Sequence, residues 1–185
     1  MMTEISLNVL DIAQNCIRAE ASLVEISCIA DTKSDRLTIT VKDNGCGMSR
    51  EKLQSVTDPF FTTRTTRKVG LGVSFFKLSA EITGGSFEIT SAEGVGTTVT
   101  AVYVISSIDR MPLGDMSSTI HSLVTLNLNT DFVYTYSVDN RSFVLDTRQF
   151  REVLGDVPFD SFEVSEYIRD YLCENTKETN GDALL

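Results

Sequence analysis

The sequence has no apolar run long enough to cross a membrane and no recognisable leader peptide. None of its hydrophobic stretches approaches the roughly 18 residues that a membrane span needs. The first residues, MMTEISLNVLDIAQN, include an early acid and lack a basic flank before a hydrophobic block. We therefore expect no contact with a membrane and no export.

Cysteine and histidine are scarce, which argues against a zinc site. The four cysteines form no C-x-x-C pair and have no histidine nearby: Cys16, Cys28, Cys46 and Cys173. Scattered thiols without an export signal predict a cytoplasmic protein. The only histidine, His121, is not followed by the acid that accompanies the phosphoacceptor of sensor kinases, and we expect it to be an exposed residue.

Negative charge dominates, but it is unevenly distributed. The formal net charge is -10; residues 1–106 hold 12 acids and 10 bases, whereas residues 107–185 hold 14 acids and 6 bases. Such an acidic half argues against nucleic-acid binding, which needs clustered Lys and Arg. By contrast, residues 59–80 contain no acid and include Arg64, Arg67, Lys68 and Lys77. This cationic loop suits a small anion better than a polymer.

Hydrophobic periodicity predicts an α+β protein. Helices are predicted over about 6–19, 49–56 and 72–83, and strands over 24–28, 36–42, 86–90 and 97–104. After residue 106 we predict a helix near 113–123, a hairpin over 131–146 that turns at Asp139 and Asn140, and two further helices. We therefore expect one domain over 1–106 and an acidic α/β extension over 107–185. The aromatic residues of the hairpin, Phe132, Tyr134 and Tyr136, either form a docking surface or pack on the first domain.

Glycines at the start of a predicted helix indicate an anion site. There is no G-x-x-x-x-G-K-[ST] motif, so the chain lacks a P-loop, and GCGMSR and GLGVSF each lack the third glycine of a dinucleotide fingerprint. Gly70, Leu71 and Gly72 nevertheless expose backbone N–H groups at the positive end of a helix. Together with the preceding cations they could hold a polyphosphate.

Five motifs in this order resemble those of the GHKL (Bergerat-fold) superfamily, which includes sensor histidine kinases, DNA gyrase, heat-shock chaperones and MutL proteins. They are DIAQNCIRAEASLVEISC, the DNGCG of residues 43–47, the DPFFTT of residues 58–63, the GLGVS of residues 70–74 and the GVGTT of residues 94–98. The resemblance covers about residues 5–104. It implies a two-layer α/β sandwich, in which helices cover one face of a mixed sheet and ATP lies between the helices and a lid formed by residues 58–72.

The resemblance also implies a role for individual residues. Asn15 matches the amide that ligates Mg²⁺, which prefers oxygen ligands, and Asp43 matches the carboxylate that accepts a hydrogen bond from the adenine amino group. The other implied nucleotide contacts come from the glycine boxes, the lid and the last motif: Gly45, Gly47, Met48, Phe60, Thr63, Lys68, Gly70, Leu71, Gly72 and Thr98.

Asp11 lies one helical turn before Asn15, where gyrase and MutL proteins have the glutamate that activates water. Asp is one methylene shorter, and a misplacement of about 1 Å is costly in catalysis. Asp11 is therefore either the catalytic base, directly or through a second water, or a residue that positions magnesium or water.

The resemblance predicts an Mg-ATP-binding protein that hydrolyses ATP or phosphorylates a partner protein in trans, as anti-sigma-factor serine kinases do. The phosphoacceptor helices of a two-component kinase are missing from the sequence. The alternative is a binding module in which ATP only changes the affinity for a protein partner. The oligomeric state stays open, and a homodimer is one of the options.

Overall fold

A computed structural model describes residues 3–56, 71–155, 157–181 and 183. It contains six helices and six strands in these residues, which follow one another along the chain as α1 (Ile5–Arg18), β1 (Leu23–Asp31), β2 (Arg36–Asp43), α2 (Arg50–Val56), α3 (Leu71–Glu81), β3 (Ser86–Ala92), β4 (Gly96–Val104), α4 (Met116–Leu126), β5 (Asp131–Val138), β6 (Arg141–Asp146), α5 (Thr147–Leu154) and α6 (Phe162–Asn180).

The six strands form one mixed sheet in the order β3-β4-β2-β1-β5-β6. Neighbouring strands are antiparallel except for β1 and β5, which run parallel in the register Val24 to Phe132. This is the mixed sheet with helices that the sequence predicted. The parallel pair joins residues more than a hundred positions apart, and no local pattern predicted it.

One face of the sheet carries the core. The residues of β1 alternate between buried and more exposed, and the buried ones pair with buried residues of β2, which in turn pair with buried residues of β4. Because side chains alternate across a strand, this register places all the buried side chains on one face. The helices cover that face, where α1 packs against α3 and α4, and α4 packs against α6.

The part of the chain after residue 106 continues this sheet and this core. Strands β5 and β6 extend the sheet beyond β1, and Phe132, Tyr134 and Tyr136 are at most 1% exposed. The hairpin aromatics therefore pack inward, and their interpretation as a docking surface is wrong. The domain boundary predicted at residue 106 stays a prediction.

His121 is half-buried rather than exposed as we expected. Its Nε2 atom lies 2.9 Å from the hydroxyl oxygen of Ser165 and 3.0 Å from the carbonyl oxygen of the same residue, so His121 joins α4 to α6. Among the described residues, no helix is both long and apolar enough to span a bilayer.

Candidate functional site

Asp43 ends β2 and is buried, with 7% of its surface exposed. Its Oδ1 atom accepts a hydrogen bond of 2.8 Å from the backbone N–H of Gly45, so the carboxylate closes the turn that follows the strand. No salt bridge involves Asp43 among the described residues. It is a buried acceptor with capacity left for a neutral donor.

The thiol of Cys16 lies beside this carboxylate, a feature that the sequence analysis missed. Burial raises the pKa of the Cys16 thiol, and the neighbouring Asp43 carboxylate raises the pKa further. The thiol therefore stays protonated, and it donates a weak hydrogen bond to the backbone oxygen of Ile12 at 3.3 Å. The only sequence signal for Cys16 is its position directly after Asn15.

The turn after β2 is fixed by close backbone contacts. Gly47 has a positive φ of 66°, and a Cβ atom there would overlap the backbone oxygen of Ala92. The backbone N–H of Met48 donates to the hydroxyl of Ser91 at 2.9 Å, and this hydroxyl is also 2.9 Å from that of Thr97. Gly47 is therefore required for packing against the β3–β4 hairpin.

Thr97 shares the face of Asp43, whereas Thr98 does not. In the β2–β4 register Asp43 is opposite Thr97, and Lys42 is opposite Thr98. Side chains of directly opposed residues point to the same face of a sheet. The structure therefore does not bring Thr98 together with Asp43, and it places the preceding threonine there instead.

Asp11 contacts the first turn of α3. A Cβ atom on Gly72 would overlap the Asp11 carboxylate, so glycine leaves room for this side chain in the rotamer that it adopts. A carboxylate in this place is favoured by the positive end of the dipole of α3. The structure thus brings together two predicted site residues, Asp11 and Gly72, that are 61 positions apart.

Asn15 is half-buried and lies one turn after Asp11 on α1. Its Oδ1 atom accepts a hydrogen bond of 2.8 Å from Nη1 of Arg18. The amide oxygen is the type of ligand that Mg²⁺ uses. The described residues contain no group of three or more His, Cys, Asp and Glu that could hold a metal by themselves.

Several predicted site residues lie outside the described part of the chain: Phe60, Thr63, Lys68 and Gly70. Of Leu71 only the backbone is described, and it begins α3. The described site therefore consists of α1, the turn after β2, the β3–β4 hairpin and the start of α3.

The fold is similar to that of two solved structures. The ATPase domain of Aquifex aeolicus MutL complexed with ADP matches with a TM-score of 0.50 at 15% identity, over 98% of both chains. The N-terminal domain of a DNA repair protein matches with a TM-score of 0.57 at 15% identity, over 78% of this chain and 53% of that one. At this identity the similarity concerns the fold.

Sequence relatives include an uncharacterized sensor-like histidine kinase of Rhizobium meliloti, 40% identical over 75 residues, and the sensor histidine kinase ZraS of Escherichia coli K12, 29% identical over 113 residues. The aligned regions cover 38% and 61% of this chain, but only 14% and 23% of those kinases. The chain therefore matches less than a quarter of either relative.

The family model described as histidine kinase-, DNA gyrase B- and HSP90-like ATPase matches residues 2–106. The match includes the end of β2, the turn after it and the two helices that meet at Asp11 and Gly72. The chain therefore belongs to the family of histidine kinase-, DNA gyrase B- and HSP90-like ATPases.

Proposed function

We propose that the protein binds Mg-ATP and either hydrolyses it or transfers its γ-phosphate to a protein partner. The observation that carries this proposal is the buried carboxylate of Asp43 at the end of β2, which accepts a backbone hydrogen bond from Gly45 and forms no salt bridge with the described residues. An acceptor of this kind suits the amino group of adenine. Guanine presents a carbonyl oxygen at the same position, and two acceptors facing each other would be unfavourable.

The phosphates would lie at the N-terminus of α3. Gly72 brings the backbone of this helix next to α1, and the helix dipole favours negative charge there. Cys16, which lies beside the proposed adenine site, follows Asp11 by five residues. This spacing separates the proposed adenine and phosphate sites by about 7.5 Å along α1. We propose that Gly70, Leu71 and the lid residues Phe60, Thr63 and Lys68 complete the nucleotide site from the other side.

Mg²⁺ fits the residues present. Asn15 offers an amide oxygen, and Mg²⁺ commonly keeps several waters and binds substrate phosphates through few protein ligands. When bound, the ion would neutralise negative charge on the phosphates. The Oδ1 atom of Asn15 accepts from the Arg18 guanidinium and keeps a second lone pair for the ion, whose binding the positive charge of Arg18 would weaken.

The contact between Asp11 and Gly72 favours a second candidate function. A carboxylate that lies against α3 is not free to act as a base, and it would compete with phosphate for the same helix end. A module in which ATP displaces Asp11 and so changes the contact between α1 and α3 needs no turnover. The two functions differ in whether ATP is consumed.

We propose a protein partner or substrate for either function. The acidic residues 107–185 argue against nucleic acid as the partner. All four cysteines are free, which is compatible with a reducing cytoplasm. A homodimer is a further option that the net charge of -10 makes less favourable through self-repulsion.

Calorimetric titration with Mg-ATP tests the binding site. Asp43→Asn replaces an acceptor oxygen with a donor and should cost on the order of 1–3 kcal/mol in binding free energy. Asn15→Ala should leave folding intact and remove the dependence of affinity on magnesium. GTP is the matched ligand control, since wild type should prefer ATP. If the two variants bind Mg-ATP as tightly as wild type does, the nucleotide lies elsewhere.

Incubation with γ-labelled ATP distinguishes the two candidate functions. Label that appears in phosphate or in protein, and disappears with Asp11→Ala, would identify an enzyme with Asp11 in or near the chemistry. Retained label despite measured ATP binding would identify the nucleotide-controlled module or a kinase that needs its partner. The assay should therefore be run on protein for which ATP binding has already been measured.

A further inference from the structure

Asn8 is a buried amide with no hydrogen-bond partner among the described residues. It lies in α1 with 1% of its surface exposed, and neither its Oδ1 nor its Nδ2 atom is hydrogen-bonded. A buried polar group without a partner destabilises the folded state, and the large majority of such groups in proteins are paired. An apolar residue would serve this core position better, so the amide calls for an explanation.

The position of Asn8 relates it to Asp11. The two residues are three positions apart in α1, so their side chains are neighbours on the helix surface, with Cβ atoms about 5–6 Å apart. Helical side chains lean toward the N-terminus of their helix, which brings the Asp11 side chain over the turn that contains Asn8. In the structure the Asp11 carboxylate lies against Gly72 instead.

Nucleotide binding would remove Asp11 from that place. If the phosphates bind at the N-terminus of α3, as proposed above, they meet the Asp11 carboxylate there, and two anions cannot share one helix end without strong repulsion. Rotation about χ1 of Asp11 moves its carboxylate away from α3. The displaced carboxylate then needs a new donor within reach on α1, and the amide of Asn8 is unengaged.

We propose that Asn8 is a positioning residue whose Nδ2 group donates to the Asp11 carboxylate when phosphate occupies the N-terminus of α3. Asp11 would alternate between Gly72 in the free protein and Asn8 in the nucleotide-bound protein. The hydrogen bond that Asn8 lacks in the free state is made in the bound state. This inference rests on the proposed ATP binding.

A double-mutant cycle tests the coupling between the two residues. Asn8→Leu is introduced into wild type and into the Asp11→Ala variant. For each of the four proteins we would measure the affinity for Mg-ATP, the affinity for adenosine and the melting temperature without ligand. Asn8→Leu should raise the melting temperature of the free protein, weaken Mg-ATP binding about tenfold and leave adenosine binding unchanged. In the Asp11→Ala background it should leave Mg-ATP binding unchanged.

Tyr134→Phe is the matched control, because the Tyr134 hydroxyl is also buried and has no hydrogen-bond partner in the described part of the chain, but lies in β5. This control should leave the affinity for Mg-ATP unchanged. If leucine overpacks the Asn8 site, Asn8→Val is used in place of Asn8→Leu. The proposal is overturned if Asn8→Leu leaves the affinity for Mg-ATP unchanged. It is also overturned if Asn8→Leu weakens Mg-ATP binding by the same factor in wild type and in the Asp11→Ala background, or if it weakens adenosine binding as much as Mg-ATP binding. Failure of the wild-type protein to bind either ligand would refute the nucleotide site itself, and this outcome is visible without any variant.

Discussion

At the scale of single residues, the contact between Asp11 and Gly72 decides how closely α1 and α3 approach. Glycine in a helix is normally worse than alanine by up to about 1 kcal/mol. Here a Cβ atom would overlap the Asp11 carboxylate, while it would lie 3.6 Å from the Asp11 Cβ atom, an ordinary contact. The cost of a methyl group at position 72 therefore depends on the side chain at position 11.

The effect of Gly72→Ala on stability should consequently differ in sign between wild type and the Asp11→Ala variant. In wild type the Asp11 side chain must rotate away from the helix end, which should lower the free energy of unfolding by up to about 1 kcal/mol, the usual value of a carboxylate at a helix N-terminus. In Asp11→Ala the overlap is removed and the helix preference of alanine should dominate, so that the substitution is neutral or stabilising. Urea unfolding of the four proteins measures both effects. Equal destabilisation in both backgrounds would mean that Asp11 does not contact Gly72.

The site residues predicted from the sequence are those at motif positions to which the GHKL resemblance assigns a role. Asp43 begins the DNGCG motif of residues 43–47, and Asn15 lies in the motif DIAQNCIRAEASLVEISC. Cys16 and Thr97 could not be identified in this way, because their importance comes from pairing across the sheet and from packing of α1 on it. Thr97 and Thr98 look alike in the sequence, and only the β2–β4 register distinguishes them.

At the scale of elements, local signals placed most helix and strand ends within one or two residues. Asp146 is the N-cap of α5, where its carboxylate accepts from the backbone N–H of Arg148 at 3.0 Å, and Gly155 is the C-cap. Hydrogen bonds from Arg148 are the main cause that lowers the pKa of Asp146 below its usual value of 3.8. Caps are predictable because donor and acceptor are neighbours in the chain.

Asp146→Ala should therefore destabilise the protein by about 1 kcal/mol at neutral pH, the typical loss for an N-cap. Because the folded-state pKa is depressed, the ionised carboxylate stabilises the fold above pH 3.8, and this contribution is lost as the pH falls through the lower folded value. The difference between variant and wild type in urea unfolding should shrink in that range.

Asp146→Asn is the matched control for this cap. It keeps an acceptor oxygen but not the charge, so its stability relative to Asp146→Ala should not vary with pH. If wild type and Asp146→Ala are equally stable at neutral pH, the carboxylate does not cap α5.

At the scale of the whole molecule, β1 lies in the middle of the sheet rather than at its edge. It pairs with β2 on one side and with β5 on the other, so one side of its strand pairing depends on residues after position 106. The core on its buried face likewise includes Met116, Ile120 and Leu123 of α4. The change in charge near residue 106 suggested a boundary there. Pairing between strands that are far apart in the sequence leaves no local trace, so the sequence did not indicate that β5 continues the sheet.

This arrangement predicts that a fragment of residues 1–106 does not fold by itself. Without β5, strand β1 would become an exposed edge whose buried face still carries Ile26 and Cys28, and exposed apolar edges promote aggregation. The fragment should lack a cooperative thermal transition in circular dichroism and should form large species in light scattering, whereas residues 1–185 melt cooperatively. Adding residues 107–185 as a separate chain should restore solubility if strand pairing is the cause. A monomeric fragment that melts cooperatively would instead establish residues 1–106 as an independent domain and residues 107–185 as an addition to it.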